Sequence, residues 1–182
     1  MTRPSFSCVV ADPPWNERGG GKIKRGAGRH YPLMTQLQIV NLMAAQINER
    51  FDVSHDAHLY LWATNTFLPE GLRVIDQLGF RYITNVAWVK PSYGIGQYFR
   101  GAHELCLFAT RGRGFEARTE RRDIPGVLRE DYRRDASGRR VHSGKPEGFY
   151  KMVEARSRGP YLELFGRRPR DGWTVDHHGE PL

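Results

Sequence analysis

Residues 6–15 read FSCVVADPPW, and the fold follows from how that stretch begins and stops. Val9 and Val10 are β-branched and the run to Ala11 holds no glycine or proline, so residues 6–11 read as a short strand. Asp12-Pro13-Pro14 ends it, because neither proline has an N–H to give to a ladder and each residue before a proline is held extended. Working outward, residues 16–30 (NERGGGKIKRGAGRH) are too glycine-rich and polar to pack and are expected to be a loop. From Thr35, which reads as a cap, Leu37, Val40, Leu42, Met43, Ile47 and Phe51 recur near helical spacing over about 16 residues. A strand at 58–63 (HLYLWA) and a helix from about 68 to 78 follow, with Pro69 in the tolerated first turn and Gly79 as the stop.

Further strands are predicted at 80–89 (FRYITNVAWV) and 104–110 (ELCLFAT), on either side of a glycine- and aromatic-rich loop, KPSYGIGQYFRGA. An arginine-rich loop comes next. Lys145-Pro146 opens a helix whose buried face is Phe149, Tyr150, Met152, Val153 and Ala155, and residues 161–165 (YLELF) form a last buried strand before a polar tail. Strands alternating with helices imply right-handed crossovers, so the expected fold is a single doubly wound α/β domain spanning 1–182, its mostly parallel sheet covered by helices on both faces. Such sheets bind ligands outside the carboxyl ends of their strands. Asp12, Lys90 and Gly166 lie just beyond such ends and are expected to converge on one crevice.

The 182 residues are 39% hydrophobic and 12% aromatic, enough for one sizeable core. No stretch approaches the roughly 18 apolar residues of a membrane span, and the first residues lack the small-residue cleavage site of a secretory signal. A cytoplasmic location and no membrane partner are therefore expected. Cys8 and Cys106, the only cysteines, form no CxxC and read as buried strand residues rather than a disulfide framework. No metal site is expected, since His177-His178 has no third ligand at suitable spacing. Gly19-Gly20-Gly21-Lys22 lacks the spacing of a phosphate-binding loop, and no nucleophile elbow is present.

Charge points to a polyanion. Lys and Arg number 28 against 20 Asp and Glu, a net +8, of which residues 1–110 carry +3, 111–140 carry +4 and 141–182 carry +1. All the basic residues of 111–140 are arginine, the residue suited to phosphate forks and base stacking; a solvated loop with alternating charges is the plainer alternative. At the DPPW turn, a carboxylate beside proline carbonyls can only accept hydrogen bonds, which suits a ligand presenting two N–H groups, such as an aromatic amine. Trp15 offers a flat face on which a base can stack.

The tetrad after an apolar strand resembles the amino methyltransferases that carry Asn/Asp-Pro-Pro-aromatic at the active site. It is most similar to the family of the eukaryotic messenger-RNA adenine-N6 methyltransferase catalytic subunit and its bacterial and phage relatives. The likeness continues in order through YPLMT (31–35), LWATN (61–65), LPEG (68–71), WVK (88–90), GAHE (101–104), SGKP (143–146) and ELFGR (163–167), covering approximately residues 6–175. It implies a Rossmann-like methyltransferase domain that moves a methyl group from S-adenosylmethionine to the N6 amine of adenine in nucleic acid, with DNA set slightly ahead of RNA.

By that resemblance Asp12, Pro13, Pro14 and Trp15 are catalytic, and Asp12, Pro13, Ser143, Lys145, Glu163, Phe165, Gly166 and Arg167 hold the cofactor. Tyr31, Lys90 and Glu104 approach the target base, and Arg121, Arg122, Arg133 and Arg134 are the charge-based candidates for the nucleic-acid backbone. Plainer alternatives stand beside several of these: a helix-start residue for Lys145, a surface charge for Arg167, a structural ion pair for Glu104 and a loop anchor for Tyr31.

The chemistry agrees with the residues. An adenine amine is a poor nucleophile because its lone pair is delocalised into the ring, and hydrogen bonds to Asp12 and the Pro13 carbonyl would draw that pair out of conjugation. Asp12 then orients and stabilises rather than acting as general base, and a sulfonium leaving group needs no metal. Two departures are evident. After Trp173, where the family usually carries an amide or acid pair for the ribose hydroxyls, Asp176, His178 or Glu180 must substitute. No separate target-recognition domain is expected, so recognition falls to the loops at 16–30, 91–103 and 111–142, to a homodimer or to a partner subunit. The alternatives to a DNA enzyme are an RNA adenine-N6 methyltransferase and a catalytically silent nucleic-acid-binding subunit.

Overall fold

The computed structural model describes residues 5–16, 33–94, 98–114, 117–141 and 144–177. Ser5–Ala11 forms β1, the strand expected from its β-branched centre, and it pairs in parallel on both sides. Its neighbours are β2 (Asp52–Ala63) and β6 (Tyr161–Leu164), with Val9 opposite Leu59 on one side and Leu162 on the other. Outside these lie β3 (Arg81–Val89), β4 (His103–Arg111), β5 (Val127–Arg129) and β7 (Trp173–Asp176), giving a seven-stranded sheet of order β5-β3-β4-β2-β1-β6-β7. Only β4 runs against the rest, pairing antiparallel with both β2 and β3. That reversal matters for the site, because it brings the first residues of β4 to the sheet end where β1, β3 and β6 finish.

Alternation along β1 separates two cores. Val9 and Ala11 face a cluster with Leu59, Leu61, Leu107 and Leu162, covered by Ile39 and Met43 of α1 (Gln36–Ala45) and Val74 and Ile75 of α2 (Leu68–Gln77). Cys8 and Val10 face the other side with Tyr60, Trp62 and Cys106, under Phe149, Tyr150 and Val153 of α3 (Glu147–Arg156). Helices therefore cover both faces, as the doubly wound reading expects. Thr35 caps α1 in a capping box with Gln38, and Gly79 ends the turn after α2 at a φ of +73°. Among the described residues no helix is long and apolar enough to cross a membrane.

The structure adds two strands to the predicted set. Val127–Arg129 pairs with the end of β3 inside the arginine-rich segment, and Trp173–Asp176 extends the sheet beyond β6 in what reads as a polar tail. Each is too short for hydrophobic alternation to show, and each is held by a neighbouring strand rather than by its own apolar content. Directly after α1 the helical ladder widens into one π-type turn, Gln46–Arg50, closed by Phe51 N–H donating to Gln46 O at 2.8 Å.

Under α3 the packing includes one polar chain. Tyr60 donates to Ser157 Oγ (2.8 Å), Ser157 to His58 Nδ1 (2.7 Å), and His58 Nε2–H to the Gly114 carbonyl (2.9 Å), a sense that requires a neutral imidazole. Burial pushes the His58 imidazole down to about 4, opposed by the Gly114 bond and assisted by Arg156 and Arg118. A group whose folded pKa is depressed keeps the fold stable above its unfolded value of about 6.5 and loses that contribution as pH falls. Unfolding free energy should therefore drop on acidification from pH 6.5 to 5, with a slope approaching about 1.4 kcal/mol per pH unit. His58→Gln should flatten that slope in urea titrations at each pH; an unchanged slope would remove His58 as its source.

Candidate active site

The residue after β1 carries the first element of the site. Trp15 N–H donates to Pro13 O at 2.9 Å, a two-residue turn around Pro14, while the Pro14 carbonyl accepts from Met34 N–H at 2.8 Å. Each proline carbonyl thus accepts one backbone hydrogen bond and keeps a second lone pair, that of Pro13 belonging to the residue next to Asp12. Trp15 departs from the sequence expectation. It is only 6% exposed, its indole N–H donates to Trp62 O at 2.8 Å, and its ring stacks on Phe67 at 5.5 Å. Instead of offering a face to a base, the indole anchors the turn to the core.

Three strands and one helix start then converge on Asp12. Lys145, just ahead of α3, places its ammonium 2.9 Å from Asp12 Oδ1 and 3.1 Å from Glu104 Oε2, with the indole of Trp62 at 4.8 Å. Glu104, the second residue of β4, also pairs with Lys90 at the end of β3. Burial alone would raise the Glu104 carboxyl, but Lys145 and Lys90 outweigh it and hold it at about 2. Burial likewise opposes the charge on Lys145, and Asp12 and Glu104 together drive its pKa above the ordinary lysine value. Lysine and carboxyl side chains thus alternate from Lys90 through Glu104 and Lys145 to Asp12, each within ion-pair distance of the next.

Beside Asp12 opens a cavity of about 470 Å³, within the range of small-molecule sites. Asp12, Lys145, Glu163, Phe165 and Arg167, all assigned to a cofactor from the sequence, line it together. Phe165 follows β6 with a φ of +63°, an uncommon conformation for a bulky side chain, of the kind found where a site imposes strain. Glu163 accepts from Tyr150 OH at 2.7 Å, yet burial pushes its carboxyl up despite that bond. Sequence reasoning missed the far wall. Arg170 grips Glu147 with two hydrogen bonds, the second at 2.9 Å, and lies 3.6 Å over the Tyr150 ring. Only the pairing of the first turn of α3 with the tail reveals this, and no local pattern in the sequence encodes it.

The remaining sequence candidates separate. Arg133 lines the cavity, whereas Arg121 is held in a fork by Asp123 at 2.7 and 2.8 Å, Arg122 donates to three loop carbonyls, and Arg134 donates to Gly138 O and lies near Asp131. Gly166 is explained differently from the sequence reading. A Cβ there would come within 2.2 Å of Val175 Cγ1 and 3.1 Å of Glu163 Cγ, so the glycine admits the neighbouring strand rather than a ligand. Asp176 is buried and paired with Arg50 at 2.7 Å, which ties the end of β7 to the π-type turn. Tyr31, Ser143, His178 and Glu180 lie outside the described residues. Among the described residues no cluster of three or more His, Cys, Asp or Glu is arranged to hold a metal.

Comparison with known proteins places this geometry. The MT-A70 family model matches residues 6–176. The N(6)-adenosine-methyltransferase catalytic subunit METTL3 of Homo sapiens is 24% identical over 173 residues, covering 89% of this chain and 26% of that protein. The N6-methyladenosine RNA methyltransferase MTA1 of Pyricularia oryzae is 26% identical over 190 residues, covering 95% and 46% respectively. The probable N(6)-adenosine-methyltransferase MT-A70-like protein of Oryza sativa subsp. japonica is 24% identical over 179 residues, covering 92% and 22%. The chain thus spans less than half the length of these curated relatives.

The glycine assignment is open to a direct check. Gly166→Ala should destabilise the fold by roughly 1–3 kcal/mol through overpacking, and Val175→Ala in the same chain should recover most of that loss in thermal melts. No recovery in the double variant would show that Val175 is not the obstacle.

Proposed function

The chain belongs to the MT-A70 family, and on that footing we propose that it is an S-adenosylmethionine-dependent methyltransferase acting on the N6 amine of adenine in nucleic acid. The observation that carries the reading is Asp12, fixed by Lys145 at 2.9 Å and facing a cavity, with the Pro13 carbonyl next to it keeping one lone pair besides the one that accepts from Trp15 N–H. That cavity suits the cofactor, which bears a carboxylate, an ammonium and a sulfonium. Arg133, Arg167 and Arg168 of its lining would meet the anion, and Asp12 and Glu163 the cations. A cation beside Glu163 would also favour the ionised form that burial disfavours.

When bound, the sulfonium supplies an activated methyl group and departs as a neutral thioether. The chain's residues do the rest. Asp12 and Pro13 O accept the two amine N–H groups and pyramidalise the nitrogen, which takes its lone pair out of conjugation with the ring. Lys145 holds the Asp12 carboxylate in one position, so no reorganisation is needed as charge develops on the amine. Attack by that nitrogen on the methyl carbon would break the carbon–sulfur bond with its electrons on sulfur, and the surplus amine proton would pass to water. Asp12 remains an acceptor throughout.

The target adenine must leave any duplex stack to reach Asp12, at a cost of a few kcal/mol that a single strand avoids. Single-stranded substrates are therefore the expected preference. One of the relatives is named for RNA and the others for adenosine, so RNA stands beside DNA as a polymer to be tried.

Transfer of labelled methyl to matched single-stranded DNA, duplex DNA and RNA, followed by digestion to nucleosides, tests the proposal. Label should appear in N6-methyladenine, fastest on a single strand, and fall at least about 100-fold in Asp12→Ala, the scale of losing an electrostatic acceptor. Label in another nucleoside, or equal rates for both proteins, would refute it. A folded protein that binds nucleic acid and transfers no methyl would favour the silent-subunit alternative.

A further inference from the structure

Between β3 and β4 the chain continues as a hairpin beyond the sheet: Lys90 N–H donates to Ala102 O at 2.8 Å and Gly94 N–H to Gly101 O at 2.7 Å. Its outer part carries Tyr93, Tyr98 and Phe99, which are 79%, 92% and 89% exposed and are the most exposed large hydrophobic side chains among the described residues. Three aromatic rings left in water on one short connection call for an occupant.

Two features indicate which occupant. The hairpin's arms begin and end in the catalytic cluster, since Lys90 and Glu104 are paired at its base. Tyr93 is three residues from Lys90, about 10 Å at strand rise, or roughly three stacked base steps. The surroundings are cationic. No Asp or Glu lies between Lys90 and Glu104, Arg100 follows Phe99, and the adjoining segment 111–140 carries +4. A second copy docked tip to tip would bring these like charges together, whereas a phosphate backbone would be drawn in by them.

The hairpin is also braced. Ser92 Oγ and Tyr132 OH are 2.9 Å apart, the Tyr132 ring meets Trp88 edge-on at 5.8 Å, and the Arg140 guanidinium lies 3.3 Å over that ring. The aromatic tip is thus tied to the arginine-rich segment, so stacking surface and cations are presented together, the combination that binds single strands.

We propose that Tyr93, Tyr98 and Phe99 form a stacking platform for the nucleotides that flank the target adenine of a single-stranded substrate. The assignment rests on the adenine-methyltransferase reading of the site and extends it to the part of the substrate that lies outside the cavity.

The test pairs a binding readout with a kinetic one. A single-stranded oligodeoxynucleotide carrying 2-aminopurine beside one adenine should be quenched on binding, and Tyr98→Ala/Phe99→Ala should weaken its affinity about tenfold or more and abolish the quench. The same variant should raise KM for the oligonucleotide about tenfold while leaving kcat, and the slow methylation of free deoxyadenosine, within about twofold. Tyr98→Phe should restore binding, and Tyr82→Ala, at the other end of β3, should leave it unchanged.

An unchanged affinity would overturn the proposal. So would an equal loss on deoxyadenosine, or a loss traced by sedimentation to a broken dimer. Should quenching depend on the tip while no substrate is methylated, the platform stands and the methyltransferase reading falls.

Discussion

The ammonium of Lys145, 2.9 Å from Asp12 and 3.1 Å from Glu104, is the contact on which the rest of the site depends. Burial disfavours the charges of Lys145 and Glu104 taken alone, and their pairing with one another and with Asp12 makes the cluster tolerable. The pairing also fixes architecture. Lys145 must stand at the start of α3, Asp12 at the end of the central strand, and Glu104 at the beginning of the one reversed strand, so that all three reach the same end of the sheet. A wholly parallel sheet would carry Glu104 to the opposite end.

From that point the molecule divides into two working surfaces. On one side, Glu163, Phe165 and the arginines after β6 enclose a cavity of mixed charge. On the other, the β3–β4 hairpin rises from Lys90 and Glu104 and presents exposed rings beside arginines. Asp12 stands where the cavity meets the cluster leading to that hairpin, as the proposed methyl transfer requires if donor and acceptor are to meet. Beneath both, Trp15 anchors the Asp12 turn to Trp62 and Phe67, so the carboxylate is carried by a rigid part of the core.

Much of this was legible in the residues. The run to Ala11 and the proline stop located the central strand, and helical spacing from Thr35 located α1 because its apolar face is long enough to show a period. The cavity wall at Glu163, Phe165 and Arg167 was readable by resemblance, since those residues are contiguous. What escaped is non-local. Arg170 meets Glu147 only because β7 closes the sheet beside α3, and β7 itself is too short to announce itself. The packing roles of Trp15 and Gly166 escaped for a related reason: sequence shows that a residue is unusual, but what it packs against depends on the fold.

A double-mutant cycle on methyl transfer, using Asp12→Asn, Lys145→Met and the pair, tests the central claim that the two side chains act as one unit. Each single variant is expected to lose at least about 100-fold, and the double variant should fall no more than about tenfold below the weaker single, as for groups that share one task. Losses that multiply would contradict the account, because Lys145 would then contribute independently of the carboxylate it is held to orient.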